Sequence, residues 1–331
     1  MKGKKNGKTG SVLAGQLLVL AAAVLIFALL WSVIWIFVTS RCVSDASDEM
    51  KSKMIDVSRN LPFDESSHIV RYRAETILEG DLPVLDGAAA LFPLYSAFTE
   101  AIYPEESVVY DEKSGDFDPA SALQFHNTVR GFNALLDGSV DVFFSAYPSE
   151  EQLESARKAG VTIRFVPIGK EAFVFLVNEK NPVDSLTQEE LRGLFTGKIT
   201  NWKQVGGADR PVHPIKRIAG SGSQSTLEAF LGGEKVYTNP LGFMGASIGY
   251  SFRWYTTEVV KEGGVKILSV DGVYPDPDTV SDGTYPLSTK FYAMYRTDNE
   301  NGNIQTLLDF ILSEEGQELI EKSGYCRIGA D

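Results

Sequence analysis

The chain has 331 residues, of which 44% are hydrophobic and 23% are charged. This length and balance exclude wholesale disorder and allow one large or two medium domains with their own cores. The net charge is −13, and because residues 1–41 carry five basic and no acidic side chains, the remainder holds 26 basic against 44 acidic residues. Such an acidic surface argues against a nucleic-acid partner, but it does not exclude a small anion held by local donors.

The first segment is apolar enough to cross a membrane. No charged residue occurs in residues 12–39, and roughly 20 apolar residues are sufficient to span a bilayer. Four lysines precede this stretch, and positive charge stays on the cytoplasmic side. The sequence therefore predicts a cytoplasmic tail at residues 1–11, a transmembrane helix at 12–39 and an extracytoplasmic remainder. The protein would then be a single-pass protein of the cell membrane.

Two other interpretations of this segment remain open. A cleaved signal peptide has a shorter apolar core, of about 7–15 residues, followed by a cleavage site of small residues. A lipid anchor on Cys42 normally needs a small residue just before the cysteine, where this chain has Arg41. The chain has two cysteines, Cys42 and Cys326, which either pair in an oxidising compartment or stay as separate thiols.

The rest of the chain alternates between strand-like and helix-like segments. Residues 40–80 are polar and mixed in charge, and we expect them to form a stalk. Beyond them, β-rich runs at 141–144, 161–166 and 173–177 alternate with helices. Capping boxes mark three helix starts, at Ser149 to Gln152, Thr187 to Glu190 and Ser225 to Glu228. This alternation predicts an α/β domain with a largely parallel sheet, in which ligands bind where loops enter helix N-termini.

A glycine–serine turn is the strongest candidate for a binding site. Gly220-Ser221-Gly222-Ser223 follows strand-like residues and enters a helix. Glycines let a ligand approach the backbone, and the first turn of a helix leaves N–H groups unpaired at the positive end of the helix dipole. The serine hydroxyls add donors, and the Arg217 guanidinium matches a tetrahedral oxyanion. An ordinary capped helix after a glycine turn gives the same pattern, so both interpretations stay open at this point.

Two further helix starts are candidates for donor groups. One begins near Asn127, where Thr128 either caps the helix or donates its hydroxyl to a ligand. The other follows Gly87 and enters a helix near Leu91 and Phe92. Both have the turn-to-helix pattern that suits an anion.

The sequence contains no recognisable catalytic or metal-binding pattern. Its three histidines, His68, His126 and His213, stand in no nucleophile arrangement, and the glycine–serine turn is not a nucleophile elbow. Ser155 and Lys158 have the spacing of a serine–lysine motif, but they lie in an acidic helix whose polar composition is typical of a solvated face. No cysteine or histidine spacing suits a metal ion. We therefore expect a protein without catalytic residues, metal or cofactor.

Several segments resemble the phosphate-binding proteins of ABC importers. Leu186-Thr187, followed by Phe195 through Trp202, is similar to the "LT…(F/Y)xGKITNW" signature of that family. Arg217 with the glycine–serine turn resembles its Arg-x-x-x-Ser-Gly-(Thr/Ser) phosphate loop. Other similar segments stand in the family's order along the chain, at residues 138–142, 248–250, 285–288 and 313–317.

The resemblance implies an α/β fold of the two-lobed periplasmic-binding-protein type (type II), in which the chain crosses between the lobes twice. Lobe one would comprise residues 81–168 and 285–331, and lobe two residues 169–284. The ligand would lie in the cleft, which closes by a hinge motion. The positions that match the family's ligand contacts are Arg217, Ser221, Gly222 and Ser223 in lobe two, and Thr128, Leu91 and Phe92 in lobe one.

Two parts of the site differ from the family's pattern. The first loop normally supplies a hydroxyl, whereas residues 88–91 leave only backbone N–H donors, and the aspartate that accepts the proton of hydrogen phosphate has no counterpart near residues 145–147. A lost hydrogen bond to an ionised ligand costs about 1.5–3 kcal/mol. We expect a membrane-anchored solute-binding protein for phosphate or a related oxyanion, which delivers it to an ABC importer permease. The alternative is a ligand-sensing or interaction module with a reshaped or decayed pocket.

Overall fold

A computed structural model describes residues 7–42, 55–238, 245–258 and 264–329. The α-helices in these ranges are α1 Gly7–Cys42, α2 Phe92–Ile102, α3 Asn127–Asp137, α4 Glu150–Ala159, α5 Gln188–Thr196, α6 Gly222–Phe230, α7 Arg253–Glu258, α8 Pro277–Ser281, α9 Asn303–Leu312 and α10 Glu314–Lys322. The strands are β1 Leu85–Gly87, β2 Tyr110–Asp111, β3 Asp116–Phe117, β4 Val142–Ala146, β5 Ile163–Asn178, β6 Ser185–Leu186, β7 Val212–Pro214, β8 Ala246–Phe252, β9 Val265–Ile267, β10 Ser269–Val270, β11 Ser288–Arg296 and β12 Cys326–Arg327. Short 3-10 helices lie at Val57–Asn60, Ala89–Leu91, Glu105–Ser107 and Trp202–Val205.

Helix α1 contains a candidate membrane span. Its stretch Gln16–Trp35 has a mean hydropathy of 2.9, and the side chains of these 20 residues are exposed. A continuous apolar surface of this length is unfavourable in water, whereas a helix of this length matches a hydrocarbon core about 30 Å thick. The prediction of an N-terminal helix long and apolar enough to cross a membrane is therefore confirmed.

Strand β5 is the central strand, because it takes part in both halves of an eight-stranded sheet. The strand order is β1-β4-β11-β5-β8-β7, and β9 and β12 also pair with β5. The first part of β5 pairs with β11, from Ile163 opposite Arg296 to Ala172 opposite Ser288. The second part, from Phe173 onward, pairs with β8 and β9. The chain therefore passes from one lobe to the other at Ala172 and Phe173.

This sheet differs from the predicted one in two ways. The β-rich runs at 161–166 and 173–177 belong to one strand of 16 residues. Gly169 lies between them, and a Cβ at this position would come 2.3 Å from Cζ of Phe291, so the glycine marks a close contact within the strand and not its end. The prediction of a largely parallel sheet is wrong, because β5 and β11 cross between the lobes as antiparallel neighbours.

Each lobe has its own apolar core. The core of lobe one is built from α2, α9 and α10 packed on the strands β1, β4 and β11. The core of lobe two is built from α5 and α6 packed on β5, β7 and β8. Trp254 and Tyr255, which lie within the range predicted for lobe two, pack in the first core, and Cys326 packs in the second. These residues lie beside β5, where the chain crosses between the lobes, so their packing partners come from both lobes.

Residues 55–80 differ from the expected stalk, because they lie against lobe one. Ile55, Ile69 and Leu78 are buried in its core. The Ser96 hydroxyl donates to the Asn60 carbonyl at 2.5 Å, and further contacts of the segment are made to α2. Widely spaced apolar residues in a polar segment have no helix or strand period, and so the sequence pattern does not reveal their burial. The first part of the predicted stalk, residues 43–54, lies outside the described residues.

Two of the three predicted capping boxes are confirmed, and the third is wrong. Ser149 and Thr187 cap α4 and α5 with reciprocal bonds to Gln152 and Glu190. The helix assigned to a start at Ser225 begins three residues earlier, at Gly222. Ser225 lies inside this helix, where its hydroxyl donates to the Ser221 carbonyl at 3.1 Å.

Candidate functional site

The glycine–serine turn joins β7 to α6 at the edge of lobe two. Gly220 has a φ of +77°, a conformation that glycine adopts at little cost. Ser221 then caps α6, with its Oγ accepting from the Gln224 N–H at 3.4 Å. The N-terminus of α6 therefore points its free N–H groups out of the turn, and Ser223 lies buried in its first turn.

Arg217 is held beside this helix start by bonds from both its backbone and its side chain. Its backbone N–H donates to Gln224 Oε1 and to the Tyr250 hydroxyl, each at 3.1 Å. Its Nη1 lies 3.3 Å from the Tyr250 carbonyl and 3.4 Å from the Ser251 hydroxyl. Burial lowers the pKa of the guanidinium, and the hydroxyls of Tyr250 and Tyr255 oppose that shift. Arginine stays charged even so, which places a half-buried cation beside the helix start.

The opposite wall comes from lobe one, at the N-terminus of α3. Asn127 has a φ of +63°, a left-handed conformation that asparagine tolerates better than most residues. Its Oδ1 accepts from the Thr128 N–H at 2.7 Å and from the Ala89 N–H at 3.4 Å. The Asn127 side chain thus ties the first loop of lobe one to α3, and it presents Thr128 to the cleft.

These two walls enclose a cavity of about 80 Å³. Its lining comprises Ala88, Ala89, Ala90, Asn127, Thr128, Arg217, Ser221, Gly222, Ser223, Ser251, Phe252 and Tyr255. None of these residues is acidic, while the lining holds one cation, several hydroxyls and a helix N-terminus. A cavity of about 10–15 Å³ on this measure holds one water molecule, so the space suits a compact anion of several heavy atoms. We name this space the anion cavity.

The structure brings together five of the seven predicted site residues: Arg217, Ser221, Gly222, Ser223 and Thr128. It places Leu91 and Phe92 differently. The Leu91 N–H donates to the Ala88 carbonyl at 2.9 Å, and the Phe92 N–H donates to the Ala89 carbonyl. Both predicted donors are therefore used inside the turn Ala89–Leu91, because this turn is a 3-10 helix with its own bonds.

Asn127, Ser251 and Tyr255 line the cavity but were not predicted as site residues. For Asn127 a signal exists, since asparagine at a helix start is typical of left-handed backbone and of caps. Ser251 and Tyr255 come from the corner between β8 and α7, where the sequence shows no motif. Ser251 lies 3.4 Å from Arg217 Nη1, and Tyr255 lines the same cavity, because of how this corner packs in the folded chain.

The two lobes touch at the edges of the anion cavity. A Cβ on Gly220 would lie 3.3 Å from Val129 Cγ2 of lobe one. A Cβ on Gly222 would lie 4.0 Å from the Ala146 Cβ, again across the cleft. The glycines of the turn therefore allow lobe two to close tightly on lobe one.

A larger cavity of about 650 Å³ lies away from this cleft, between the segment after Ile55 and the ends of α7 and α10. Its lining mixes acids and bases, among them Asp56, Arg59, Glu258 and Lys322. Mixed charges of this kind do not select one sign of ligand, whereas the anion cavity does. Within the described residues no group of three or more His, Cys, Asp or Glu side chains is placed to hold a metal ion.

Comparison with known proteins identifies one family. A sequence profile described as a PBP superfamily domain matches residues 86–315, more than half of the chain. The phosphate-binding protein PstS of Bacillus subtilis is 27% identical over 270 residues, which cover 76% of this chain and 82% of the relative. PstS of Borreliella burgdorferi is 26% identical over 221 residues, which cover 60% of this chain and 76% of the relative.

Solved structures share the fold. A substrate-binding protein of an ABC transporter from Clostridium perfringens, solved with bound phosphate, superposes with a TM-score of 0.57 at 24% identity, covering 75% of this chain and 100% of the other. An ABC-type phosphate transport receptor from Vibrio cholerae superposes with a TM-score of 0.52 at 21% identity, covering 74% and 99%. At these identities the likeness concerns the fold alone.

Proposed function

This chain belongs to the PBP superfamily, and from this premise we propose that it is a membrane-anchored, extracytoplasmic solute-binding protein for phosphate or a related oxyanion. It holds the ligand between its lobes and delivers it to the permease of an ABC importer. It performs no chemistry on the ligand.

The observation that carries this proposal is the convergence of donors in the anion cavity. Arg217 and the N-terminus of α6 approach from lobe two, and Thr128 approaches from lobe one. A guanidinium and a helix N-terminus both favour an anion, and each is more effective in a partly dehydrated site. Because the donors come from both lobes, a bound anion would favour the closed arrangement.

The relatives support phosphate as the ligand class. The curated relatives from Bacillus subtilis and Borreliella burgdorferi are phosphate-binding proteins. Arg217 and the turn Ser221 to Ser223 correspond to the phosphate loop that the sequence resembles, and they line the cavity. The small volume of that cavity supports an inorganic or similarly compact oxyanion.

Binding without catalysis is supported by the lining itself. Among the described residues of the anion cavity there is no histidine, cysteine or carboxylate that could activate one of the serines. The curated relatives are binding proteins by name. Ser221 and Ser223 therefore serve as donors in this proposal.

Helix α1 supports the membrane anchor. With the four lysines that precede it in the sequence on the cytoplasmic side, the stretch Gln16–Trp35 would hold residues 55–329 outside the cell. An anchored binding protein stays near its permease, which raises the effective concentration of one for the other.

One observation favours a second candidate, a ligand-sensing module with a reshaped pocket. Residues 88–91 and 145–147 lack the hydroxyl and the aspartate that the resembled family has in these segments, so lobe one offers fewer polar contacts than that family does. A weaker or altered specificity would suit a sensor as well as an importer.

Calorimetry on the full chain in lipid nanodiscs tests the proposal. Titration with phosphate, sulfate and small organic anions is expected to give saturable binding of phosphate, or of one related oxyanion, at one site per chain. If none of these anions binds, the transport function is wrong and the module interpretation stands.

A further inference from the structure

A second, smaller cavity opens from the anion cavity towards the hinge strand β5. The two cavities share four lining residues, Ala88, Ala90, Gly222 and Phe252, so they are parts of one cleft. The second cavity measures about 30 Å³. A cavity of about 10–15 Å³ on this measure holds one water molecule, so the second cavity admits a short substituent of two or three heavy atoms.

The walls of the second cavity are mostly apolar. They comprise Ala88, Ala90, Leu91, Ser145, Ala146, Gly222, Phe252, Thr289, Phe291 and Tyr325, with Glu171 as the acid and Lys290 as the base of this lining. Lys290 takes part in an interaction of its own, and the cation whose charge acts on Glu171 is Arg253. Leu91 and Ala146 line this cavity and not the anion cavity. Parts of both segments that depart from the resembled family, residues 88–91 and 145–147, therefore line an apolar space beside the oxyanion donors.

Glu171 is a buried carboxyl at the point where β5 crosses between the lobes. It is 4% exposed. Its Oε1 accepts from the Ala172 N–H at 2.8 Å, and its Oε2 accepts from the Trp254 N–H at 3.1 Å. These bonds hold both oxygens as acceptors, which is the role of an ionised carboxylate.

No ion pair to Glu171 is found within the described ranges of the chain. The Arg253 guanidinium, on the next helix, donates to the Gly324 carbonyl at 3.1 Å. A buried carboxylate is unfavourable unless a cation or further donors compensate it, and its two amide bonds compensate only part of that cost. A cationic group of a ligand, entering from the cleft, would compensate the remainder of this cost.

We propose that the second cavity is a subsite for a short cationic arm of the ligand, which is a compact oxyanion joined to an ammonium group. The oxyanion lies with Arg217 and the N-terminus of α6, and the ammonium donates to Glu171. A small aminoalkyl phosphonate or the corresponding aminoalkyl phosphate ester has this chemistry. The inference rests on the proposed function, because it assumes that the anion cavity holds an oxyanion.

The acid–base character of Glu171 agrees with this role. Burial raises the pKa of Glu171 to about 7, and the amide bonds and the charge of Arg253 oppose the shift. Tyr325 and Cys326 also interact electrostatically with Glu171, and Lys290 on β11 lines the same cavity. An ammonium bound to Glu171 would favour its ionised form, so binding near pH 7 would release protons.

The test compares two ligands that differ only in the ammonium. Calorimetry on the full chain in nanodiscs uses phosphate, ethylphosphonate and 2-aminoethylphosphonate, with phosphoethanolamine to distinguish the ester from the phosphonate. We expect 2-aminoethylphosphonate or phosphoethanolamine to bind at least about tenfold more tightly than ethylphosphonate. Glu171→Gln should bring the ratio of the affinities for 2-aminoethylphosphonate and ethylphosphonate to about one. Glu315→Gln, which changes an exposed carboxylate on α10, should leave the ratio unchanged.

A second variant tests the cavity without touching the carboxylate. Ser145→Val exchanges a hydroxyl for two methyl groups on a wall that the anion cavity does not share. We expect it to weaken both alkyl-bearing ligands relative to phosphate, with thermal unfolding showing that the variant folds. This variant carries the test if Glu171→Gln does not fold.

Two results would overturn the inference. If phosphate binds but the ammonium ligands have no advantage over ethylphosphonate, the subsite is wrong and the proposed function stands. The subsite is also wrong if Glu171→Gln folds and keeps the full advantage. If no oxyanion binds the wild-type chain, both the subsite and the proposed function are wrong.

Discussion

The backbone N–H of Arg217 donates to the side-chain oxygen of Gln224, seven residues further along the chain, at 3.1 Å. The same oxygen accepts the Tyr250 hydroxyl, and Gln224 Nε2 donates to Glu228 Oε1 at 2.8 Å. Gln224 does not line the anion cavity. It joins the loop that carries the guanidinium to the helix whose N-terminus faces the same space.

Gln224→Ala should therefore weaken anion binding although this residue lies behind the site. We expect about a tenfold loss of phosphate affinity and a loss of about 1–3 kcal/mol in the free energy of unfolding, since buried partners lose an acceptor. Calorimetry and urea denaturation measure the two effects. Gln305→Ala, which removes an exposed side chain bonded to Asp309, is the control. A normal phosphate affinity in Gln224→Ala would mean that Gln224 stabilises the lobe without positioning Arg217.

Gly220→Ala should impair closure as well as stability. Its φ of +77° is unfavourable for alanine, and the new Cβ would lie 3.3 Å from Val129 Cγ2 of the other lobe. Gly233 is a matched control because it has a φ of +86° and nothing within 4 Å of such a Cβ. Both variants should lose about 1–2 kcal/mol of stability from backbone strain. Only Gly220→Ala should also lose phosphate affinity. Equal phosphate affinities in Gly220→Ala and Gly233→Ala would contradict an inter-lobe contact at Gly220.

Glu171 should make the protein less stable as the pH rises from about 4.5 to about 7. Its pKa is raised in the folded state from 4.5 to about 7, so the folded state binds more protons than the unfolded state in this window. The stabilising contribution of protonated Glu171 is fully present below the pKa of this group in the unfolded state. It is lost as the pH rises through its pKa in the folded state. Over this window the wild type should lose on the order of 3 kcal/mol relative to Glu171→Gln. Chemical denaturation from pH 4 to pH 8 checks this, and parallel curves for the two proteins would contradict it.

Asp86 should control the titration of His126 at the edge of the site. The buried Asp86 carboxylate accepts from the Gly87 N–H at 2.7 Å and the His126 N–H at 2.9 Å, and it bonds His126 Nδ1 at 2.8 Å. The bond to Asp86 raises the pKa of His126, so the pair stabilises the fold below the ordinary pKa of histidine and loses this effect as the pH rises through the raised value.

Asp86→Asn is therefore expected to lower the pKa of His126 towards that of free histidine and to cost about 2–3 kcal/mol of stability. Proton NMR of the His126 ring across pH 5 to 8 measures the pKa. An unchanged midpoint in the variant would show that another group sets the titration of His126.

Sequence patterns predicted the parts of the site that depend on local chemistry. The spacing of the turn glycines, the capping serines and an arginine predicts how this loop folds and that it favours an anion. Arg217 and Ser221 lie together in the folded chain, as that spacing predicts. The two confirmed capping boxes have the same local origin. The first residue of α6 was predicted wrongly because two serines, Ser221 and Ser225, are equally good caps by type.

Features that depend on contacts between segments far apart in the sequence could not be predicted from local patterns. Glu171 has no motif around it, and its burial follows from the crossing of β5 between the lobes. The burial of Ile69 and Leu78 depends on a surface of lobe one that forms only in the folded protein. The bonds that satisfy the Leu91 and Phe92 amides arise from a 3-10 turn, which the alanines beside them do not signal.

The phosphate affinity of Arg217→Ala in the full chain tests the central claim most directly. Removing the Arg217 guanidinium from the lining of the anion cavity should weaken phosphate binding at least about 100-fold, because several charge-assisted bonds are lost together. Arg157→Ala, which removes an exposed arginine paired with Glu154 on α4, should bind phosphate like the wild type. Equal affinities in Arg217→Ala and the wild type would show that phosphate does not bind in this cleft.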